Sequence, residues 1–382
     1  GHSDTETLLA GFDTWGIEAT VKKTVGMFAF AVWDKHLRTL TLARDRIGEK
    51  PLYYGWQNNI FLFSSELKAI KCHPNFCCEI DRNALAAYMQ FGNVPGPQSI
   101  YKGISKLTPG TLLKVTLDPA NSILPIPYWS LLEIARKGQQ NPFQGTDAEA
   151  LTELNSVLSE AVSSQQISDV PLGAFLSGGI DSSLIVALMQ AQANKPVHTF
   201  TIGFEDPQYN ESDNARTIAN HLRTNHTELI VAVAQAQEVI PLLPTLYDEP
   251  FADSSAIPTF LVSKLARRDV AVSLSGDAGD ELFGGYNRYS WASKIINIPP
   301  TLRFAAAKIL YQLPPWAWDQ FYSIIKPVLP RSLQIELFGD KAHKLAGVLG
   351  ANSPSILYEQ LCAPSPEGFK LVLNGEAKTN IH

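Results

Sequence analysis

The apolar positions of this chain follow two different patterns. Up to about residue 71 they come in short runs, Met27 to Trp33, Leu40 to Ala43, Pro51 to Trp56 and Ile60 to Ser64, separated by the turn signals Asp34-Lys35 and Asn58-Asn59. Runs this short and closely spaced predict antiparallel hairpins and layered sheets, not βαβ units. One helix comes first, with apolar residues at helical spacing from Glu6 to Phe12, and Asp4 reads as its N-cap. Asp81 opens another helix that runs through Phe91 and closes at Gly92. Ile100 to Val115 reads as strand, Pro-Gly turn and strand.

The second pattern follows a polar, turn-rich stretch, Ala135 to Gly145, which reads as a linker. Thr146 to Glu149 is a capping box, and the helix behind it puts Ala150, Leu151, Leu154, Val157, Leu158, Ala161 and Val162 on one face. Strands are predicted at Val170 to Leu176, Val197 to Phe204, His226 to Val233 and Val270 to Ser275. Helices alternate with them from Ile180, over Glu211 to Leu222, in a proline-broken stretch from Ala234 to Tyr247, and over Pro258 to Arg268. Such alternation predicts a doubly wound parallel sheet, whose ligands bind at the carboxyl ends of strands. The loops after Leu176, Ile202 and Leu274 are therefore expected to converge. Beyond Trp291 the chain reads as mostly helical, with breaks at Pro299-Pro300 and Pro314-Pro315 and with Trp316, Trp318, Phe321 and Tyr322 as core packing.

Composition narrows the class. With 382 residues, 45% of them hydrophobic, the chain can bury the cores of two domains. A net charge of −6 without a long basic run argues against nucleic acid as a partner. No run reaches the length of a membrane span. Cys72, Cys77, Cys78 and Cys362 fit no zinc or CxxC spacing, and so few thiols point to a reducing, cytoplasmic setting. The cluster Arg44-Asp45-Arg46 reads as a solvated hairpin face or a structural ion pair. His198, His221 and His226 share no spacing that builds a site and read as structural.

Candidate chemistry lies in two glycine-rich loops. In VPLGAFLSGGIDSSLIVAL, an apolar strand ends in Ser177-Gly178-Gly179 and a helix follows from Ile180. Glycines let backbone N–H groups approach a ligand, the helix N-terminus adds partial positive charge, and Ser177, Ser182 and Ser183 add hydroxyls. That suits a phosphate, and Asp181 beside it makes sense with a divalent cation between them. The plainer reading is a Gly-Gly turn joining core elements. The second loop, SLSGDAGDELFGGY, crowds Asp277, Asp280 and Glu281 among glycines. It is either an acidic surface turn or a cation holder of the kind that suits Mg²⁺.

Three stretches carry a family resemblance. SGGIDSS resembles the pyrophosphate loop of the ATP pyrophosphatases; GMFAFAVWDKHLRTLTLARDRIGEKPLYYGW with SSELKAI resembles the latter half of the asparagine synthetase glutaminase domain; and Ser275 to Tyr286 resembles that family's signature. The resemblance implies a partial class II glutamine amidotransferase domain over residues 1–130, of α+β, Ntn-type layered antiparallel sheets. It further implies a linker over 131–146, then an α/β, HUP-like ATP pyrophosphatase domain over 147–382 with a helical C-terminal part. It implies ATP and Mg²⁺ as cofactors, and ATP-dependent amidation of aspartate through β-aspartyl-AMP, with ammonia from glutamine and release of AMP and pyrophosphate. Ser177, Gly178, Gly179, Asp181, Ser182 and Ser183 would surround the phosphates. Leu176, Ile202, Ser275 and Gly276 would line the adenine and ribose. Asp181 and Asp280 would hold the metal, Asp277 would sit near the reacting carboxylate and Glu281 near the emerging ammonia. Asp4 would hold the α-amino group of glutamine, and Asp248 to Ser255 would shape the acceptor pocket.

No cysteine precedes Cys72, so the family nucleophile has no counterpart here, and the expectation is a chain shortened at both ends that lacks glutaminase activity by itself. Alternatives are the same chemistry on a sugar acid, a peptide or a β-lactam precursor, or a non-catalytic remnant. Homodimerisation is left open.

Overall fold

The computed structural model describes residues 3–116, 124–206, 210–328 and 337–372. Two units divide the chain: residues 1–85 with 93–276, and residues 86–92 with 277–382.

In the first unit, helices Asp4–Trp15 (α1) and Ile17–Lys23 (α2) precede the sheets. The N-cap of α1 is Ser3, whose side chain accepts from the Glu6 N–H, so Asp4 is the first helical residue and not the cap. The hairpin Ala29–Asp34 (β1) and Thr39–Arg44 (β2) turns on Asp34, whose Oδ1 accepts the N–H groups of His36 and Leu37. In the hairpin Tyr53–Gln57 (β3) and Ile60–Ser64 (β4), Asn58 and Asn59 both take positive φ, the conformation a tight two-residue turn demands. Ile104–Lys106 (β5) joins β3, and Thr111–Thr116 (β6) joins β2 and then Ile126–Pro127 (β7). The result is two antiparallel sheets, β1-β2-β6-β7 and β4-β3-β5. Leu42, Leu52, Leu107, Leu113 and Val115 form one core; Val21, Ala43 and Leu112 form another with Phe28 and Phe30. Neighbouring residues of β2 thus enter different cores, which is why its apolar run does not alternate cleanly.

Helix Leu67–Lys71 (α3) follows β4, and Arg82–Phe91 (α4) begins behind Asp81, whose carboxylate accepts from the Asn83 and Ala84 N–H groups. The stretch read as a linker is partly helical: Leu131–Gln140 (α5) is capped by Ser130 and leaves Leu131, Leu132 and Ile134 exposed. Asp147–Gln165 (α6) carries the capping box foreseen from Thr146 and Glu149. Its apolar face is not packed throughout, since Leu151, Leu154 and Val157 are exposed while Val162 is buried.

Strands Leu172–Phe175 (β8), His198–Phe204 (β9), Asn225–Val231 (β10) and Val272–Leu274 (β11) form a parallel sheet in the order β10-β9-β8-β11. Ile180–Gln192 (α7) and Ser212–Leu222 (α8) supply Val186, Met189, Ala215 and Ala219 to a core with Ala174 and Leu176. After the short helices Val233–Gln237 (α9) and Leu243–Leu246 (α10), Ala256–Ala266 (α11) packs Leu265 and Ala266 with Phe200 in a separate core. Helices following a parallel sheet in this manner make the doubly wound class.

The second unit is helical. Gly279–Phe283 (α12), Asn287–Ile296 (α13), Pro300–Tyr311 (α14), Pro315–Ile325 (α15), Phe338–Leu349 (α16) and Pro354–Cys362 (α17) follow one another. Pro300 and Pro315 sit at the first helical position, where the missing N–H costs nothing. Ile295, Ala307, Val348, Leu349 and Leu357 make its core. Of the aromatic cluster, Tyr322 is buried and stacks on Phe338 at 4.5 Å, whereas Trp316 and Phe321 are exposed. Residues 329–336 and 373–382, read from sequence within the helical part, lie outside the described residues.

Candidate active site

The loop from Ser177 to Ser183 joins β8 to α7. Its hydroxyls bind the loop to itself. Ser182 is nearly buried; its Oγ accepts the Ser177 N–H at 3.2 Å and lies 2.9 Å from the Ser177 Oγ. Ser183 Oγ donates to the Gly179 carbonyl at 2.6 Å, and the Gly179 N–H donates to Ser177 Oγ. The N-cap of α7 is Gly179, which has no side chain to accept from the first-turn amides. That leaves a thirteen-residue helix with an N-terminus suited to an anion, and Asp181 stands in its first turn.

Two glycines bring neighbouring elements against this loop. Gly178 has φ +84°, and a Cβ there would lie 2.8 Å from both the Ala215 N and the Asn214 Cβ of α8. Gly276, just beyond β11, would put a Cβ 2.6 Å from the Ser182 N and 2.8 Å from the Asp181 carbonyl carbon. The loops after β8 and β11 therefore meet, and α8, which follows β9, closes the third side. Thr201, buried on β9, donates its hydroxyl to the Leu176 carbonyl. Leu176 itself is buried in the core and Ile202 is half-buried on β9.

Asp277, Asp280 and Glu281 belong to the second unit. Asp277 and Glu281 are exposed and Asp280 is half-buried. Ala278 caps α12 with φ 72°, and Asp280 and Glu281 stand in that helix's first turn. Glu281 is not a free carboxylate: the Tyr286 hydroxyl donates to its Oε1 at 2.6 Å, and this hydrogen bond, with some desolvation, pushes the Tyr286 phenol up to about 12. The Arg288 guanidinium carbon stands 3.9 Å from the Tyr286 ring centroid. The sequence offered Tyr286 only as the last letter of a motif.

Among the described residues no group of three or more His, Cys, Asp or Glu side chains comes together as a metal set. Mg²⁺ asks for less, since it takes one or two carboxylates with substrate phosphates and water. Asp181 beside an uncapped helix N-terminus fits such a substrate-bridged ion.

Other residues singled out by the sequence belong to other parts of the first unit. Asp4 is exposed at the start of α1. His198 and His226 lie at the amino-terminal ends of β9 and β10, opposite the ligand edge, with His226 Nδ1 3.0 Å from Thr199 Oγ1. Arg44-Asp45-Arg46 is neither a solvated face nor an ion pair. Asp45 is buried, and its carboxylate accepts the N–H groups of Phe28, Ile47, Gly48, Glu49 and Lys50, while Arg44 donates to the carbonyls of Gly48, Lys50 and Leu107. Backbone groups, most of them from one tight loop, and not a second side chain, satisfy both charges. Asp248 and Glu249 turn toward the antiparallel sheets. Asp248 accepts the Leu67 and Lys68 N–H groups, and Glu249 accepts the Ile100 N–H at 2.8 Å. Backbone partners so far away in the chain leave no trace in a sequence pattern.

Fold and loop together define a protein with layered antiparallel sheets, then a doubly wound parallel sheet with an anion-receptive glycine loop at a strand end, followed by helices. A family model described as asparagine synthase matches residues 153–366, and one described as a glutamine amidotransferase domain matches residues 1–129. The chain belongs to the asparagine synthase family. It is 37% identical over 313 residues to a putative glutamine-hydrolysing asparagine synthetase 2 of Methanocaldococcus jannaschii, covering 80% of this chain and 59% of that protein. It is also 37% identical over 287 residues to glutamine-hydrolysing asparagine synthetase 1 of Bacillus subtilis, covering 75% of this chain and 44% of that one. The chain thus spans about half the length of these curated relatives. A solved NH3-dependent NAD synthetase from Campylobacter jejuni overlays 53% of this chain and 97% of its own with a TM-score of 0.27 and 11% identity, too little to carry an argument.

Proposed function

We propose that this chain carries out the ATP-dependent half of a glutamine-hydrolysing amidation, with aspartate as the carboxylate and asparagine as the product. The observation that carries this reading is the uncapped N-terminus of α7, held against Gly276 beside the hydroxyls of Ser177, Ser182 and Ser183. Ser177, Gly178, Gly179, Ser182 and Ser183 bind the β- and γ-phosphates through backbone N–H and hydroxyl groups. Ser275, Gly276, Leu176 and Ile202 border the adenosine.

A carboxylate oxygen of aspartate attacks the α-phosphorus and the bond to the bridging oxygen breaks. The electron pair leaves with pyrophosphate, whose charge the α7 amides stabilise. Ammonia then attacks the acyl carbon of β-aspartyl-AMP, AMP departs, and the nitrogen loses its extra proton. Asp277 lies near the reacting carboxylate in this reading. Glu281, oriented by Tyr286, stands where ammonia arrives. Asp4 holds the α-amino group of glutamine in the amidotransferase part. Asp181 and Asp280 would hold Mg²⁺, which supplies charge neutralisation on the phosphates when bound.

The decisive experiment measures AMP and pyrophosphate release with ATP, Mg²⁺ and ammonia against a panel of carboxylates: aspartate, sugar acids and peptides. Release specific to aspartate supports the reading. Release with another carboxylate moves the acceptor, and the absence of any ATP binding with or without Mg²⁺ sinks it.

A further inference from the structure

Asp248 and Glu249 are adjacent in sequence, and both have nearly buried side chains, 11% and 10% exposed. Their partners are all in the amidotransferase-like part of the chain. Asp248 Oδ2 accepts the Leu67 N–H at 2.8 Å and its Oδ1 the Lys68 N–H at 3.3 Å, the first two amides of α3. The residue at the N-cap of α3, Glu66, makes no side-chain cap of its own. Glu249 Oε1 accepts the Ile100 N–H, and its Oε2 meets Lys106 Nζ at 2.5 Å and the Tyr53 hydroxyl at 3.5 Å. Lys68 returns the contact, donating its Nζ to the carbonyls of Thr245 and Leu246. Lys106 is itself only 19% exposed, so its charge is matched chiefly by Glu249. Burying two carboxylates side by side is costly unless each finds charge or amide partners. Here every partner comes from across the boundary between the two halves of the chain. The segment that carries them runs into α11, and α11 runs into β11, whose end holds Ser275 and Gly276.

We propose that Asp248 and Glu249 form a two-point clasp that holds the amidotransferase-like sheets on the segment leading into α11. The two points open as one unit, and the clasp keeps glutamine hydrolysis coupled to amidation. The coupling rests on the proposed function; the clasp rests on the contacts alone. Both are positioning residues.

Amide hydrogen exchange at Leu67, Lys68 and Ile100 reads the clasp directly. Glu249→Gln is expected to speed exchange at all three by about tenfold, including the two amides that Asp248 holds. Faster exchange confined to Ile100 would overturn the clasp as a unit. Glu249→Asp, which keeps the charge and shortens the reach, gives the same reading should the Gln variant fail to fold. In the natural full-length protein, the coupling is read as glutamate formed per AMP formed. That ratio is expected to rise several-fold in Asp248→Asn and Glu249→Gln. An unchanged ratio overturns the coupling. A full-length protein that forms no AMP with either nitrogen source overturns the proposed function and the coupling with it, while the exchange data still decide the clasp.

Discussion

A Cβ on Gly276 would stand 2.6 Å from the backbone nitrogen of Ser182, closer than real Cβ contacts come. The loops at the ends of two parallel strands are therefore in contact through a position that only glycine can fill without movement. Gly276→Ala should push Ser182 and the first turn of α7 aside, costing about 1–3 kcal/mol of stability. ATP affinity should fall by about tenfold or more, because each displaced amide loses its aim at the phosphates. Ser182→Ala removes an acceptor for the Ser177 N–H and should cost about 1 kcal/mol with a smaller loss of affinity. Nucleotide titration and urea unfolding on both variants check this; equal affinity in Gly276→Ala and the parent would place the nucleotide elsewhere.

Asp45 offers a sharper stability test. Its two oxygens accept five backbone N–H groups from residues 28 and 47–50. Asn in its place would aim an NH2 group at donors, leaving buried amides unpaired, and Asp45→Asn should cost about 2–4 kcal/mol. The urea midpoint should drop accordingly, with tryptophan emission from β1 and β3 reporting the transition. A shift under a few tenths of a kcal/mol would mean that the loop is held by the Arg44 contacts instead.

His226 makes the fold acid-sensitive. Burial, foremost, holds its imidazole below the usual histidine value; the Glu228 carboxylate opposes this and the Arg216 guanidinium adds to it. The folded state thus binds fewer protons than the unfolded one once the pH drops below about 6.5. Its stabilisation is complete above that value and is lost as pH falls through the folded pKa. The parent should lose stability faster than His226→Gln on acidification from pH 7 to 5, and parallel stability curves would discard the argument.

The sequence made the alternation of strands and helices legible from Val170 onward because short β-branched and apolar segments there alternate with helix-length segments between turn signals. The strand–turn–helix around Ser177 could be read for the same reason. Helix α2 was missed, since Ile17, Thr20 and Val21 favour strands, while the Glu18–Lys22 ion pair and the packing of Val21 with Ala43 and Leu112 support the helix. Leu131 to Gln140 looked like a linker because its polar residues dominate, although Ser130 caps a regular helix there. The partners of Tyr286, and those of Asp248 and Glu249, which the sequence offered only as part of an acceptor pocket, escaped notice for a different reason. What these residues do depends on partners that local pattern cannot supply: a hydroxyl turned back on Glu281, and amides 149 and 181 residues away.

The amides of residues 47–50 and those opening α7 are chemically the same array of donors, and the chain treats them in opposite ways. At the first it provides its own carboxylate, Asp45, and the array becomes architecture. At the second it places glycine at the cap, and the array becomes a receptor. One side chain, present at the first turn and absent at the second, thus decides whether a turn holds itself together or recognises something that arrives from outside.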